Sequence, residues 1–167
     1  MWCTISAQGI IGPCIVEGVD GVSVTVNAER YNHMLENFFL PEMRRRNWKM
    51  ARAWFQQDGA TGHTARISMN TLGATFPGRL LSRFGEIQWP SNSPDLTAAD
   101  YFLWGYLKAQ VYTHILPDIN SLKNAIRQES ANVTQDTLRR VMASVTGRWQ
   151  QCFECHGGHL QDVVLKT

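Results

Sequence analysis

The hydrophobic period of the chain changes partway along it, and that change restricts the folds it can adopt. Val22, Val24 and Val26 alternate with Ser23 and Thr25, the period-two signature of a strand with one buried face. Trp2 to Ser6 and Ile10 to Val16 come before it, with turn residues at Gln8-Gly9 and Val19-Asp20-Gly21. The opening therefore predicts three antiparallel strands. Asn27 stands where a helix cap is needed, ahead of Tyr31, Met34, Leu35 and Phe38 on one helical face, and Pro41 ends or restarts that helix.

Ala53 to Gln57 is apolar but short, and turn residues flank it, so it predicts an interior strand ending at Asp58-Gly59. Beyond it the period becomes three and four. Ala65, Met69, Leu72 and Phe76 form one helical stripe, which Phe76-Pro77-Gly78 stops. A loop-rich stretch with short apolar pieces at Leu80-Leu81 and Ile87 to Trp89 leads into Pro90-Ser91-Asn92-Ser93-Pro94-Asp95, whose two prolines suit neither strand nor helix. Three more helices follow. They carry Ala99, Phe102, Leu103, Tyr106 and Leu107, then Leu122, Ala125 and Ile126, then Leu138, Val141, Met142, Val145, Trp149, Cys152, Phe153 and His156. Strands first, then a strand followed by helices, describes an α/β fold in which helices pack on a sheet. The opening strand has no cap, linker or turn before it, as if cut from something longer.

The 167 residues fit one compact domain, 44% hydrophobic and 18% charged, which excludes a disordered chain. Apolar runs such as Phe38-Phe39-Leu40 are too short to cross a bilayer, and no signal peptide is evident. The chain reads as intracellular. A formal charge of +2 is too small to indicate a nucleic-acid partner. Arg44, Arg45, Arg46, Lys49 and Arg52 do cluster between apolar segments. Such a run suits phosphate contacts, although it is more often a solvated face.

Cys152-Phe153-Glu154-Cys155-His156 fits the short pattern for covalent haem attachment, and His159 would add a fourth zinc ligand. Periodicity opposes both, since Cys152 and His156 fall on the core-facing stripe of the last helix and the ligands have no second, converging pair. Structural cysteines are the better reading.

Asp58 ends a strand and Asp100 opens a helix, with residues 59–99, 41 positions, between them. Carboxylates at element ends are well placed to share a hard cation such as magnesium, which takes oxygen ligands and keeps several waters. Two such ions would activate an attacking oxygen and stabilise a leaving one. The plainer readings are a turn at Asp58-Gly59 and a capping box at Thr97-Ala98-Ala99-Asp100. Asp95 caps a helix equally well, so chemistry alone does not choose between it and Asp100.

Gln56-Gln57-Asp58-Gly59-Ala60-Thr61-Gly62-His63-Thr64-Ala65 resembles the segment of mariner-like transposases that holds their second catalytic aspartate at the end of a sheet strand. The segment from Trp89 to Trp104, with Ser93-Pro94-Asp95-Leu96 and Asp100-Tyr101-Phe102, resembles the one carrying the third. The likeness extends through Ile10-Ile11-Gly12-Pro13, Phe76-Pro77-Gly78-Arg79 and Gly157-Gly158-His159-Leu160, and so covers essentially the whole chain. The 41-residue gap suits a long-spacing, insect-associated branch.

The resemblance implies a ribonuclease-H-like mixed sheet with flanking helices, here without its first strand. Residues 1–167 would be a partial transposase catalytic (DDE endonuclease) domain, without the family's amino-terminal helix-turn-helix region. It further implies DNA transposition and integration in the nucleus, DNA partners at transposon ends and target, and dimers. Asp58 and Asp100 would be the catalytic metal ligands for two Mg2+ or Mn2+ ions, with His63 bracing the site. Since the family's first catalytic aspartate lies on the strand before the one that begins here, the chain alone is expected to bind metal weakly and not to cut DNA. The rival expectation is a non-catalytic nucleic-acid-binding or dimerisation module derived from a transposon.

Overall fold

A computed structural model describes residues 1–18, 21–90, 93–113, 115–157 and 160. The residues group into two compact units, one formed by Met1–Trp2 with Cys14–Ser93 and the other by Cys3–Pro13 with Pro94–Thr167. Among the described residues, no helix is long and apolar enough to cross a membrane.

In the first unit, helix α1 (Ala28–Met34) starts as expected, with the Asn27 carboxamide accepting the Arg30 amide at 2.9 Å. The helical path then runs through a π turn (Leu35–Phe39) into α2 (Leu40–Arg45). Each π turn holds one residue more than an α turn, which rotates the face behind it. Regular periodicity puts Phe38 in the core after Tyr31 and Leu35; instead Phe39, Leu40 and Met43 are buried and Phe38 is only half-buried. Pro41 sits at the start of α2, where a missing N–H costs little, so the helix neither ends nor breaks there.

Strand β3 is the short Phe55–Gln56 and pairs in parallel with β4 (Leu80–Ser82), which pairs in parallel with β5 (Ile87–Gln88). The Leu80-Leu81 piece is thus the middle strand of this sheet, and among the described residues the segment expected to be interior pairs at one side. Two short helices follow β3, α3 (Thr61–Thr64) and α4 (Arg66–Thr75), and α4 buries Leu72 as its stripe predicts. An aromatic cluster lies under β3, with ring centroids 5.2 Å apart for Phe39 and Phe55, 5.3 Å for Phe55 and Phe76 and 5.4 Å for Trp2 and Phe39. Such pairs add about 0.5–1.5 kcal/mol each beyond the area they bury. The expected strand Val22–Val26 is reduced to one antiparallel bridge between Glu17 and Ser23. Val22 is exposed and buries no face.

In the second unit, β1 (Trp2–Ser6) and β2 (Gly9–Cys14) are joined by Ala7-Gln8, a link short enough only for an antiparallel pair. Cys3 and Ile10 from this hairpin enter a core with Leu103, Leu107 and Leu138. Leu103 and Leu107 come from a π turn (Ala99–Trp104) that continues into α5 (Gly105–Val111). Helix α6 (Ile119–Asn132) is capped by Asp118 and α7 (Gln135–Glu154) by Thr134. Helix α7 departs from its expected stripe. Leu138, Val141 and Val145 are buried, but Trp149 is exposed, Phe153 is 81% exposed, and His156 is an exposed residue beyond the helix end. At about 30 Å long, α7 outruns the core, so its apolar period continues into solvent. Cys152 is half-buried and Cys155 exposed, and both are free thiols; His159 lies outside the described residues.

The loop between the parallel strands β4 and β5 takes only residues 83–86 and brings Gly85 against the strand it has just left. A Cβ on Gly85 would lie 2.6 Å from the Leu80 carbonyl oxygen and 3.1 Å from the Ser82 amide. Backbone atoms on both sides cannot yield without disturbing the β4 pairings. Gly85→Ala is therefore expected to cost roughly 1–3 kcal/mol, measured by urea denaturation, whereas an unchanged midpoint would mean that this loop is loose.

Candidate active site around Asp58, with Asp100 on a second element

The backbone of β3 alternates. Phe55 and Gln57 are buried, whereas Trp54 and the Asp58 side chain are 59% and 57% exposed, as period two requires of residues on opposite faces. Burying Gln57 needs partners for its amide. Its Oε1 accepts the Tyr31 hydroxyl at 2.9 Å, and its Nε2 donates to the His63 carbonyl at 2.9 Å and the Ser82 hydroxyl at 3.1 Å. One side chain thereby ties α1, α3 and β4 to the strand that presents Asp58.

His63 is the group the structure brings to Asp58. Its Nδ1 hydrogen-bonds Asp58 Oδ1, which also accepts the Ala60 amide at 3.0 Å. The His63 ring lies against Tyr31, centroids 4.3 Å apart. That packing turns the imidazole toward the carboxylate. The His63 hydrogen bond, followed by the Ala60 amide, holds the Asp58 carboxyl below the usual carboxylate range against an opposing effect of partial burial. Burial, reinforced by the Asp58 charge, pushes the Tyr31 phenol up, so it stays a protonated donor to Gln57. Both Asp58 hydrogen bonds use Oδ1; among the described residues none reaches Oδ2. A carboxylate at a strand end with one oxygen turned outward suits a hard cation, which would take waters for its remaining positions.

Asp100 belongs to the second unit, on the first turn of the π segment, with its backbone amide bonded to the Thr97 carbonyl at 2.9 Å. It is exposed. Its neighbours are fixed: the Tyr101 hydroxyl donates to the Val141 carbonyl at 2.9 Å, and the Arg148 guanidinium lies over the Tyr101 ring at 4.2 Å while donating to the Asp95 carbonyl at 2.6 Å. Asp95 Oδ2 accepts the Leu160 amide at 3.4 Å. The two acids that chemistry alone does not separate differ in exposure, Asp100 being exposed and Asp95 half-buried.

The basic run is partly spent on itself. Glu42 accepts Arg45 at 2.7 Å through two nitrogens and Arg46 at 2.6 Å, and the Arg46 guanidinium also lies 5.9 Å from the Trp48 ring centre. These bonds hold the Glu42 carboxyl down to about 2. Arg44, Lys49 and Arg52 are exposed. Among the described residues, no group of three or more His, Cys, Asp or Glu is positioned to hold a metal.

No protein-family model matches the sequence, and no curated protein does. Solved structures do. The catalytic domain of Mos1 mariner transposase matches with a TM-score of 0.75 at 23% identity, over 93% of this chain and 72% of that one. The same domain bound to raltegravir and Mn gives 0.75 and 23% over 93% and 74%. A chain of the Mos1 mariner paired-end complex with Mn gives 0.77 at 23%, over 95% of this chain and 44% of that one.

The chain has the mariner catalytic-domain fold.

It spans less than half of the polypeptide in the paired-end complex. Within this mariner fold the residue that periodicity alone does not single out is Gln57, although strand parity with Phe55 is the signal that finds it. Glu42 is also missed by an inventory of cations, yet it stands three and four residues before Arg45 and Arg46, the spacing at which helical charges meet.

Two outcomes test this arrangement. Because the folded Asp58 value lies below the unfolded one, the pair with His63 adds stability that is fully present above the unfolded pKa, about 3.9. That stability is lost as pH falls through the folded value. Carbon-detected NMR titration of His63→Ala should show the Asp58 pKa rising toward that value, with the Ala60 amide keeping it from rising all the way. Gln57→Ala strands the Tyr31 hydroxyl and the His63 carbonyl loses a donor, which should cost roughly 1–3 kcal/mol in chemical denaturation; a variant as stable as wild type would remove Gln57 from the account.

Proposed function

We propose that the chain is the catalytic-domain portion of a cut-and-paste DNA transposase, in which Asp58 and Asp100 are metal ligands and DNA is the substrate. One observation carries the reading: the exposed Asp58 carboxylate stands at the end of β3, kept ionised by His63 and the Ala60 amide with Oδ2 unengaged among the described residues, in a chain with the mariner catalytic-domain fold. Asp100 on a π turn adds support, because such turns recur at functional sites. Mos1 structures have been solved with Mn and with Mg, and as paired-end and strand-transfer complexes, which favours Mg2+ or Mn2+, transposon-end and target DNA, and a dimer as the partners of this chain too. A site of action in the nucleus follows from the same reading.

In phosphoryl transfer, most of the catalysis is positioning and charge neutralisation. Divalent ions, when bound, would supply that neutralisation. The work of this chain's own groups is to present acids in their charged form. His63 orients and holds Asp58 Oδ1, Gln57 and Tyr31 hold His63, and Tyr101 with Arg148 fixes the turn that carries Asp100. The exposed Arg44 and Lys49 would meet DNA phosphates, while Arg45 and Arg46 would have to leave Glu42 to join them.

Paramagnetic broadening by Mn2+ tests each ligand directly. The carboxyl signals of Asp58 and of Asp100 should broaden at low metal concentration. A carboxyl that stays sharp would remove that residue from the ligand set. The 167-residue polypeptide by itself supplies two carboxylates to the ions and is expected not to nick plasmid DNA with either metal. Cleavage that Asp58→Ala abolishes would show that two suffice.

A further inference from the structure

Strand parity places more than one group on the outward face of β3. Trp54 and Gln56 alternate with the buried Phe55 and Gln57, and Asp58 follows two residues beyond Gln56, about 6.6 Å further along an extended chain. Trp54 is 59% exposed. An indole left in solvent directly before a buried strand residue presents a broad, flat apolar face.

The platform beneath it is built. Arg79 Nη1 donates to the Met50 carbonyl at 2.6 Å and the Ala53 carbonyl at 3.0 Å, and the Arg79 carbonyl accepts the Phe55 amide at 3.0 Å. The segment leading to Trp54 is thus pinned to the start of β4. Lys49 and Arg52, exposed on the same segment, put positive charge close in sequence to the indole.

We infer that Trp54 is a base-stacking subsite for an unpaired nucleotide of the DNA strand whose backbone runs along the outward face of β3 past Asp58. Fixed aromatic platforms flanked by cations are how proteins hold single-stranded nucleic acid, since every base offers a π face and the cations track the backbone. Spacing by two strand residues is comparable with the step of an extended nucleotide. A duplex keeps its bases stacked on one another and cannot use the indole in this way. The inference rests on the proposed DNA-binding role and adds to it where an unpaired base goes.

The test is fluorescence anisotropy with three labelled DNAs of equal length: a thymidine oligonucleotide, an abasic oligomer and a duplex. Wild type should bind the thymidine oligomer more tightly than the abasic one, and Trp54→Ala should weaken only the former, by about tenfold. Trp54→Phe should retain most of the affinity, and Lys49→Ala should weaken all three DNAs and flatten the salt dependence. Equal binding of the thymidine oligomer by Trp54→Ala and wild type overturns the subsite while leaving the DNA-binding role intact. An equal loss on all three DNAs from Trp54→Ala also overturns it, since a stacking residue has nothing to lose on an abasic strand. Absence of binding to any DNA by wild type overturns both readings.

Discussion

The buried amide of Gln57 is the constraint on which the first unit turns. Its hydrogen bonds reach α1, α3, α4 and β4, and those to Tyr31 and Ser82 are buried, where an orphaned partner is costly. They also fix the register of β3. A slip by one residue would bury Asp58 and expose Phe55, trading the aromatic cluster for a desolvated charge. The face on which the acid stands is therefore determined by the residue that precedes it.

From that register follow the properties of the acid. Asp58 meets solvent through its own outward position and meets His63 because α3 begins immediately after the strand. Tyr31 links the two ends of the arrangement, stacking on the imidazole while its hydroxyl serves Gln57. In the second unit Asp100 gains its setting differently, from a π turn whose next residue, Tyr101, is clamped between the Val141 carbonyl and Arg148. In both places a charged, exposed side chain stands on a backbone held by buried or aromatic neighbours, which is how a site keeps its geometry while staying open to a substrate.

Charge is arranged with similar economy. A net charge of +2 gives no long-range attraction for a polyanion, and Glu42 removes two of the five clustered cations from immediate use. What remains for a phosphate backbone is local: Arg44, Lys49 and Arg52 on the segment that leads to Trp54. These groups precede β3 in the sequence, so their attraction for an anion is a local one and not an overall field.

The amino-acid sequence by itself determined the features that depend on near neighbours: the Asn27 cap, the strand before Asp58, the α4 stripe stopped by Phe76-Pro77-Gly78, and the order of elements that makes an α/β fold. Local propensity and period carry that information because each residue's partners lie within a turn or two. Only the tertiary structure decided which residues those patterns bury. A π turn moved the core position from Phe38 to Phe39, Leu80-Leu81 became the middle strand, Val22–Val26 did not form one, and α7 ran past its core so that Phe153 stands in solvent. Periodicity assumes regular turns and a continuous cover, and both are set by distant segments. The Asp58–His63 contact and the Gln57 network have the same origin, since partners up to 26 positions apart in the chain acquire a distance only when the chain has folded.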